Sequence, residues 1–374
     1  MARILVVSRH FASEKRKTSI HFFIESLLAA GYKVDFVTVG ISAVNRYKHD
    51  EVWQLVTNTV TNNWTTVSSG LRSYVWVAPF HPFNLRNKLL NVLSEPLFSY
   101  YSRLLPEAVK RAVAGCDLII FEAGVPLLLF DVMARLAPGA KTFYSAADRL
   151  STLNVHPMIL KAERKVVSRV DLVRVPAAAM LEDFPSASNV QYIPQGISKK
   201  IFDVENLNPY TGKTNAVSVG NMLFDPWMID SLGKAFPEVT FHLFGGGLGS
   251  LVKGDNIVCY GEVEFAAIVP YLQHADVGLA PYRAEKNADY LAQSSLKIIQ
   301  YTYCELPIVA PEFAVAGRLN GFGYIPANKT SLISAFVAAT SFDRTSIDKS
   351  GVKTWSQVTD QVMAELGLAA NVTQ

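Results

Sequence analysis

The chain has 374 residues, a length that suggests two domains, and half of these residues are hydrophobic, 18% are charged and 11% are aromatic. This composition excludes a disordered or low-complexity protein, which could not bury enough apolar surface to fold. The net charge is only +3, but residues 1–200 carry 24 lysines and arginines against 15 acidic residues, whereas residues 201–374 carry 11 against 17. This asymmetry indicates an anionic partner for the first half, either nucleic acid or an acidic membrane surface.

The apolar runs and the cysteines both indicate a cytosolic protein. The run Ile4–Val7 is too short for a signal peptide, and acidic residues interrupt the apolar stretch around residues 117–131 well before it could span a bilayer. Cys116, Cys259 and Cys304 lie far apart, which excludes a disulfide framework and a zinc knuckle and is typical of a reducing compartment. We therefore expect a chain that does not cross a membrane but can still lie on one.

Residues 1–200 alternate between strand and helix patterns. A strand over Arg3–Ser8, a helix over Thr18–Ala30 with apolar residues at helical spacing, and a strand over Lys33–Val39 form a βαβ unit. This order favours a parallel sheet. Further strands are predicted at Tyr74–Ala78, Asp117–Phe121, Lys141–Tyr144, Leu172–Val175 and Val190–Ile193.

The same pattern restarts after a linker predicted at Ser198–Lys213, which has little periodicity. Strands are predicted at Ala216–Val219, Val239–Phe244, Ile257–Tyr260, Val277–Ala280 and Ile308–Ala310, and helices at Met228–Phe236, Phe265–Gln273 and Ser294–Cys304. The simplest architecture is two α/β domains with parallel sheets that face each other across a cleft. Ligands bind to such sheets beyond the carboxyl ends of the strands.

Two basic segments of the first half have alternative interpretations. The stretch Asn84–Arg111 is rich in leucine, aromatic and basic residues, and Pro96 predicts its division into two helices. Basic amphipathic helices of this kind lie in membrane interfaces, although core-packed helices with a solvated face are commoner. The cluster Lys15–Lys17 precedes the first helix, and it faces lipid phosphates, the phosphates of an acceptor, or only solvent.

Several residues of the second half indicate a nucleotide site. Lys297 falls in the first turn of a helix, where a cation opposes the helix dipole, unless a dianionic ligand sits at the same helix end. Gln300 shares its face, although a solvated lysine is an equally good interpretation. Glu262 follows a strand, and its carboxylate could accept hydrogen bonds from both hydroxyls of a ribose. Alternatively, it only stabilises the start of the next helix through the helix dipole. Tyr282 also ends a strand and could pack on a base or sugar, or lie on the surface. The glycines Gly245–Gly247 after another strand are a weaker phosphate signal.

Two carboxylates of the first half end strands and are candidate general bases. Asp148 lies just past one strand and Glu122 ends another, although most such acids only cap turns. Arg149 would favour the charged form of Asp148 if the two side chains met. The histidines have no metal-ligand spacing, and no nucleic-acid recognition motif is present, so neither a metal cofactor nor a nucleic-acid partner is expected.

Blocks along nearly the whole chain carry a resemblance to a known family. They are SRHF near the start, IHFF at 20–23, HPFN at 81–84, FEAG at 121–124, ADRLSTLNV at 147–155, VGNMLFDP at 219–226, AFPEVTFH at 235–242, VCYGEV at 258–263, APY at 280–282, YLAQSSLKIIQY at 290–301 and GFGYIP at 321–326. Together they resemble the GumK-like glucuronosyltransferases of glycosyltransferase family 70, which are membrane-associated enzymes with the GT-B fold. This fold is α/β, with two Rossmann-like domains across a cleft.

The resemblance implies an activity and the residues that carry it. Such enzymes transfer glucuronate from UDP-glucuronate to a polyprenyl-pyrophosphate-linked oligosaccharide in exopolysaccharide biosynthesis, at the cytoplasmic face of the membrane. They invert the anomeric centre and need no metal. Asp148 matches the catalytic base and Lys297 the residue at the donor phosphates. Positions around uridine and sugar are matched by Met222, Glu262, Tyr282, Leu296 and Gln300.

The resemblance also predicts the domain limits and leaves alternatives. Residues 1–200 would bind acceptor and an anionic membrane surface, residues 201–347 would bind the nucleotide sugar, and residues 348–374 would return as a helix to the first domain. Two positions depart from the family pattern, with Arg149 in place of Gly and Leu296 in place of Met, although Leu296 still offers a backbone amide. The alternatives are another UDP-sugar as donor, or a non-catalytic nucleotide- or lipid-binding protein.

Overall fold

The first domain is built on an eight-stranded sheet of order β3-β4-β2-β1-β5-β6-β7-β8 in the computed structural model, which describes residues 2–48, 51–212 and 214–369. Its strands are β1 (Arg3–Ser8), β2 (Lys33–Ser42), β3 (Trp64–Ser68), β4 (Leu71–Ala78), β5 (Leu118–Glu122), β6 (Lys141–Ser145), β7 (Leu172–Val175) and β8 (Val190–Tyr192). All neighbouring pairs are parallel except β3 with β4 at one edge. The central strands are apolar on both faces because helices cover both sides of the sheet.

The second domain is built on a six-stranded parallel sheet of order β12-β11-β10-β13-β14-β15. A two-residue strand, β9 (Gly196–Ile197), precedes it, and β16 (Lys353–Thr354) follows it. The strands of the sheet are β10 (Thr214–Val219), β11 (Val239–Phe244), β12 (Ile257–Gly261), β13 (Val277–Leu279), β14 (Ile308–Pro311) and β15 (Gly321–Tyr324). The eight-stranded and six-stranded sheets are therefore of the kind that binds ligands at the carboxyl ends of the strands.

Helices connect the strands and cover the sheets. In the first domain they are α1 (Ser19–Ala29), α2 (Ala43–Lys48), α3 (Glu51–Thr57), α4 (Lys88–Ser99), α5 (Glu107–Ala114), α6 (Phe130–Leu136), α7 (Pro157–Val167) and α8 (Lys199–Phe202). They continue as α9 (Pro226–Ala235), α10 (Phe265–His274), α11 (Leu291–Ser294), α12 (Leu296–Tyr303), α13 (Glu312–Val315), α14 (Lys329–Thr340) and α15 (Trp355–Glu365). Within the described ranges no helix is both long and apolar enough to span a bilayer.

The α/β class and the parallel sheets predicted from the sequence are confirmed. The sequence missed two of the four edge strands of the large sheets, β3 and β15, because an exposed strand and a glycine-rich strand carry little hydrophobic alternation. The break predicted at Pro96 is wrong, since α4 continues through this residue. Val92, four residues earlier, is 65% exposed, so water can satisfy the carbonyl that loses its helical partner.

The end of the chain returns to the first domain. Strand β16 pairs in parallel with β9, and Trp355 at the start of α15 stacks on Phe22 of α1 with ring centroids 6.0 Å apart. The Tyr32 hydroxyl donates a hydrogen bond to the carbonyl of Leu368 at 3.0 Å. The last residues of the predicted third segment, 370–374, lie outside the described residues, as does Lys213 at the end of the predicted linker.

The close approach of β9 to β16 depends on a glycine. A Cβ atom at Gly196 would lie 2.7 Å from the Trp355 nitrogen and 2.8 Å from the Thr354 carbonyl carbon, and backbone cannot move aside easily. We expect Gly196→Ala to lower the free energy of unfolding by about 1–3 kcal/mol through overpacking. Thermal unfolding would measure this loss, and limited proteolysis would detect release of α15.

The matched control is Gly139→Ala, because a Cβ atom at Gly139 meets no atom within 4 Å. This variant should unfold within about 0.5 kcal/mol of the wild type, as surface substitutions usually do. Equal stability of the two alanine variants would contradict the interpretation of the β9–β16 contact.

Candidate active site

The carboxyl ends of both sheets open onto one cavity of about 370 Å³. All seven residues that the sequence predicts for the site line this cavity: Asp148, Met222, Glu262, Tyr282, Leu296, Lys297 and Gln300. Asp148 comes from the first domain and the other six come from the second. The fold therefore brings the proposed base and the proposed phosphate-binding residues to the same cleft.

Asp148 follows β6 on a loop at the carboxyl end of the first sheet. Its Oδ1 accepts a hydrogen bond from the Tyr290 hydroxyl at 3.2 Å. Burial raises the pKa of Asp148 above its ordinary value, and the hydrogen bond from Tyr290 offsets part of this rise. A carboxylate with a raised pKa accepts a proton more readily than a fully solvated one, as a general base requires.

Arg149 does not pair with its neighbour Asp148. Its guanidinium turns to Asp183, with Nε 2.7 Å from Oδ2, and to Asp289, with Nη1 2.6 Å from Oδ1. The condition under which Arg149 would favour the charged form of Asp148, a contact between the two side chains, is therefore not met. Two consecutive side chains of an irregular loop can point in opposite directions, and the sequence gives no periodicity that decides between them.

Glu122, the second candidate base, is held by other groups of the first domain. It accepts a hydrogen bond from the Ser8 hydroxyl, and its carboxylate lies 3.9 Å from Nε2 of His10. Nδ1 of His10 lies 3.3 Å from Glu14. Burial lowers the pKa of His10, but Glu122 and Glu14 outweigh this effect and raise it above its ordinary value. His10 and Glu122 line the same cavity as Asp148.

The sequence did not identify His10 as a site residue, because its partner Glu122 is more than a hundred positions away, and it therefore missed Glu14, the second partner of His10. A histidine two residues past the end of the first strand of a parallel sheet was the available signal, since ligands bind at that edge.

The helix end at Lys297 begins at a serine cap. The helix predicted over Ser294–Cys304 corresponds to α12, which begins at Leu296, because Ser295 is extended, caps α12 and separates it from α11. The Ser295 hydroxyl accepts from the Ile298 amide and lies 2.6 Å from the Tyr282 hydroxyl. The amides of Leu296 and Lys297 have no intrahelical acceptor, because they belong to the first turn of the helix. They are available to an anion in the cavity.

Lys297 is an isolated buried cation. Among the described residues its Nζ has no hydrogen-bond partner, and it lies 4.8 Å from the centroid of the Tyr282 ring. Burial lowers the pKa of Lys297 to about 7, and the nearby Arg16 contributes to this shift. The interpretation of Lys297 as a solvated lysine is therefore wrong. An ammonium buried at the positive end of a helix destabilises the empty protein, and a bound anion would reverse this cost.

The remaining cavity residues also resolve alternatives left by the sequence. Tyr282 is only 2% exposed, so the interpretation as a surface tyrosine is wrong. Gln300 is buried, whereas Glu262 is exposed at the end of β12. Gly245, with φ 154°, lines the cavity where a Cβ atom would lie 3.3 Å from the Gly220 carbonyl carbon. The glycine-rich loop therefore allows two backbone segments to approach each other at the site.

The basic cluster Lys15–Lys17 lines the same cavity. Nη1 of Arg16 donates a hydrogen bond across the cleft to Oδ1 of Asn221 at 3.1 Å. The cluster therefore faces the ligand cavity and the second domain. Across the described ranges, no three histidine, cysteine or acidic side chains come together as a group that could hold a metal ion.

Solved structures share this architecture. Sucrose-phosphate synthase from Thermosynechococcus elongatus has a TM-score of 0.69 at 16% identity, covering 97% of this chain and 98% of that chain. HepE of Anabaena, solved in complex with UDP and glucose, has a TM-score of 0.65 at 15% identity, covering 98% of this chain and 100% of that chain. Likeness at such identities shows the fold, which is the GT-B fold of glycosyltransferases. The predicted GT-B fold is confirmed.

Sequence similarity places the chain within this class. Residues 6–176 match the family model of the N-terminal domain of glucuronosyltransferase GumK. The chain is also 34% identical over 362 residues to the UDP-glucuronate:glycolipid 2-beta-glucuronosyltransferase of Xanthomonas campestris pv. campestris, covering 96% of this chain and 88% of that relative. The chain therefore belongs to the GumK family of glucuronosyltransferases. The resemblance predicted from its sequence is confirmed.

The buried ammonium generates a test of the site without turnover. We expect Lys297→Met to raise the unfolding temperature of the ligand-free protein near neutral pH, because it removes the cost of burying a charge. This gain in unfolding temperature should shrink as pH rises from about 7 towards about 10.4, the ordinary pKa of lysine. In this range the folded wild type has lost the proton of Lys297, whereas the unfolded wild type still carries it. The same variant should bind UDP about 10–100-fold more weakly.

Thermal unfolding with and without UDP over this pH range measures both effects. Lys161→Met is the matched control, because Lys161 is an exposed lysine that pairs with Glu95 away from the cavity. A Lys297→Met protein that is no more stable than the wild type and binds UDP equally well would exclude a phosphate-binding role for this ammonium.

Proposed function

We propose that this protein transfers glucuronate from UDP-glucuronate to a glycolipid acceptor, with inversion at the anomeric carbon and without a metal. The observation that carries the proposal is the cavity lined by Asp148 from one domain and by the unpartnered ammonium of Lys297 from the other. The relative from Xanthomonas, named for UDP-glucuronate and a glycolipid, supports this donor and this class of acceptor.

The second domain would hold the donor by its nucleotide diphosphate. Lys297 and the first-turn amides of α12 would bind the phosphates, together with Arg16 from the first domain. The exposed carboxylate of Glu262 would accept the ribose hydroxyls. Met222, Tyr282, Leu296 and Gln300 line the remaining wall around uridine and sugar.

The reaction would be one displacement at the anomeric carbon. An acceptor hydroxyl attacks this carbon while its proton passes to Asp148, and a new glycosidic bond forms. The bond between the anomeric carbon and the phosphate oxygen breaks, and UDP leaves with the electron pair. Because nucleotide-linked glucuronate is α-linked, a single attack from the opposite face gives a β-linked product.

The departing diphosphate would be stabilised by fixed positive groups of the protein. Its developing charge would meet the Lys297 ammonium, the dipole of α12 and the Arg16 guanidinium, which are in place before the reaction. These groups could carry out the role that a divalent cation has in other sites, which supports the metal-independent mechanism that we propose.

The surface helix α4 supports a peripheral location on an anionic membrane. Its side chains Leu89, Leu90, Val92, Leu93 and Leu97 are each between 48% and 66% exposed. The exposed basic residues Arg86, Lys88 and Arg103 flank this apolar face. Exposed leucines beside cations match a bilayer surface, where the apolar chains enter the acyl boundary and the cations meet anionic headgroups.

Helix α4 is also attached to the chain that follows Asp148. The Ser94 hydroxyl lies 3.1 Å from Nε2 of His156, and the Asn84 amide donates to the carbonyl of Val155 at 3.1 Å. A membrane contact through α4 would therefore lie near the loop that carries the base. This placement suits a polyprenyl-pyrophosphate-linked oligosaccharide of exopolysaccharide biosynthesis, whose lipid stays in the cytoplasmic leaflet while its sugar reaches the cleft.

The role of Asp148 is tested by Asp148→Asn. We expect turnover of UDP-glucuronate with a glycolipid acceptor to fall by about 10²–10⁴-fold, because the variant cannot accept the proton. The affinity for UDP should stay within about two-fold, since the substitution leaves the phosphate site intact. UDP release and UDP titration measure the two quantities. Asp131→Asn, at an exposed aspartate paired with Arg169, is the control. Equal turnover of Asp148→Asn and the wild type would remove the proposed base.

The donor is tested by comparing acceptor-dependent UDP release across UDP-sugars. Preference for UDP-glucuronate supports the proposal, and preference for a neutral UDP-sugar overturns the donor while keeping the site. UDP binding with no transfer from any sugar would favour a non-catalytic nucleotide-binding protein.

The membrane contact is tested with vesicles of phosphatidylcholine and phosphatidylglycerol. We expect the double variant Leu89→Ser with Leu93→Ser to bind these vesicles at least ten-fold more weakly, because each buried leucine contributes about 1.5–3 kcal/mol. Added salt should weaken wild-type binding by screening the basic residues. The double variant Leu207→Ser with Leu319→Ser is the control, because both leucines are exposed but lie outside α4. Equal loss in both double variants would exclude α4 as the membrane contact.

A further inference from the structure

The second domain contacts the first directly at Asp148. Tyr290, between β13 and α11, is fully buried, and its hydroxyl donates to Oδ1 of Asp148 at 3.2 Å. The same hydroxyl lies 3.5 Å from Oγ1 of Thr152, also in the first domain. The hydrogen bond to the carboxylate of Asp148 therefore comes from the second domain. It requires that Tyr290 stay packed against the first domain.

The guanidinium of Arg149 holds the segment that carries Tyr290. It donates to Asp183 at 2.7 Å and to the carbonyl of Ala179 at 2.7 Å, and these contacts lie within the first domain. It also donates to the carbonyl of Asn287 at 2.9 Å and to Asp289 at 2.6 Å in the second domain. One side chain, only 9% exposed, thus fastens the segment to the domain that carries the base.

The segment around Tyr290 leads directly to the phosphate site. Gln293 accepts a hydrogen bond from the amide of Ala178 in the first domain at 2.7 Å. Ser295 and Lys297 follow within four residues, at the start of α12. A continuous stretch of eleven residues, 287–297, therefore contacts the carboxylate at one end and forms the anion site at the other.

We propose that Tyr290 is a positioning residue for the Asp148 base, and that Arg149 keeps Tyr290 in place by fastening residues 287–290 to the first domain. The inference rests on the role of Asp148 given under the proposed function. Tyr290 holds one carboxylate oxygen and leaves the other for the acceptor hydroxyl. The base is then fully oriented only when the donor-binding domain is seated against the first domain.

The sign of the expected pH effect follows from the groups around the carboxylate. These groups are Tyr290 and Tyr282 of the second domain, Glu122 at the end of β5, Tyr144 of β6, and His10 and Arg16 after β1. A hydrogen bond donated to the charged form lowers the pKa of Asp148, opposing the effects of burial and of Glu122. Loss of the Tyr290 hydroxyl should therefore raise this pKa.

The first experiment is the pH profile of kcat for Tyr290→Phe, which keeps the ring and loses the hydroxyl. Turnover requires the ionised base, so the rate rises with pH through the pKa of Asp148. We expect this rising limb to move up by about one pH unit, with about ten-fold lower kcat on its acid side. The rate should recover at higher pH, and KM for the UDP-sugar should stay within about two-fold.

Tyr303→Phe is the matched control, because the Tyr303 hydroxyl also donates to an aspartate, Asp203, at 2.6 Å but lies outside the cavity lining. Its pH profile should equal that of the wild type. An unmoved limb in Tyr290→Phe, or an equal shift in both variants, would overturn the positioning role.

The second experiment tests the fastening by Arg149. Arg149→Gln should move the rising limb of the kcat profile to higher pH, as Tyr290→Phe does. The double variant should show a shift little larger than the larger of the two single shifts. Arg169→Gln, which loses a surface pair with Asp131, should leave the limb in place. Fully additive effects of Arg149→Gln and Tyr290→Phe would show that Arg149 does not act through Tyr290.

The outcome for Asp148→Asn separates this inference from the proposed function. If Asp148→Asn keeps full turnover, the base itself is wrong and the inference falls with it. If Asp148→Asn is inactive while Tyr290→Phe keeps the wild-type limb, only the inference is wrong. Thermal unfolding of each variant confirms that the measured protein is folded.

Discussion

The structure depends on one unfavourable placement, the burial of the Lys297 ammonium without a hydrogen-bond partner among the described residues. In the part of the chain that the structure describes, no group pairs with a cation at the positive end of α12, and a neutral side chain there would avoid the cost of burying a charge. The cost is understandable if the site is built for an anion. Burial and the Ser295 cap hold the helix end in a fixed geometry, so a diphosphate would find its partners already oriented.

The opposite wall of the cavity also holds a partly buried charged group, the carboxylate of Asp148. Asp148 is partly desolvated, and its environment balances burial and Glu122 against Tyr290, His10 and Arg16. The two walls belong to different domains, so the arrangement of the domains decides whether the proposed base and the proposed phosphate site face each other. The pairing of β9 with β16 and the stacking of Trp355 on Phe22 attach the segment that follows the second domain to the first domain.

Residues 287–297 connect the wall of the cleft that carries Asp148 with the wall that carries Lys297. Arg149 bonds to both domains, Tyr290 reaches the carboxylate, and Lys297 lies at the end of the same segment. This segment is short, and within it the Ser295 side chain caps the start of α12. A change in the position of the second domain relative to the first would therefore alter the proposed base and the proposed anion site together. Helix α4, for which we propose a membrane contact, is linked to the same region of the first domain through the contact of Ser94 with His156.

The sequence by itself determined the parallel sheets, the two-domain order and the seven residues that meet in the cavity. Continuous apolar runs such as Ile4–Val7 are typical of central parallel strands covered on both faces, and the family motifs supplied the candidate site residues. Tertiary structure alone decided the contact of Tyr290 with Asp148, the direction of Arg149 and the His10–Glu122 cluster. Tyr290 and Asp148, Arg149 and Asp289, and Ser8 and Glu122 each lie more than a hundred residues apart, and the docking of domains and strands sets their distances. Hydrophobic periodicity reports only which face of a local element is buried.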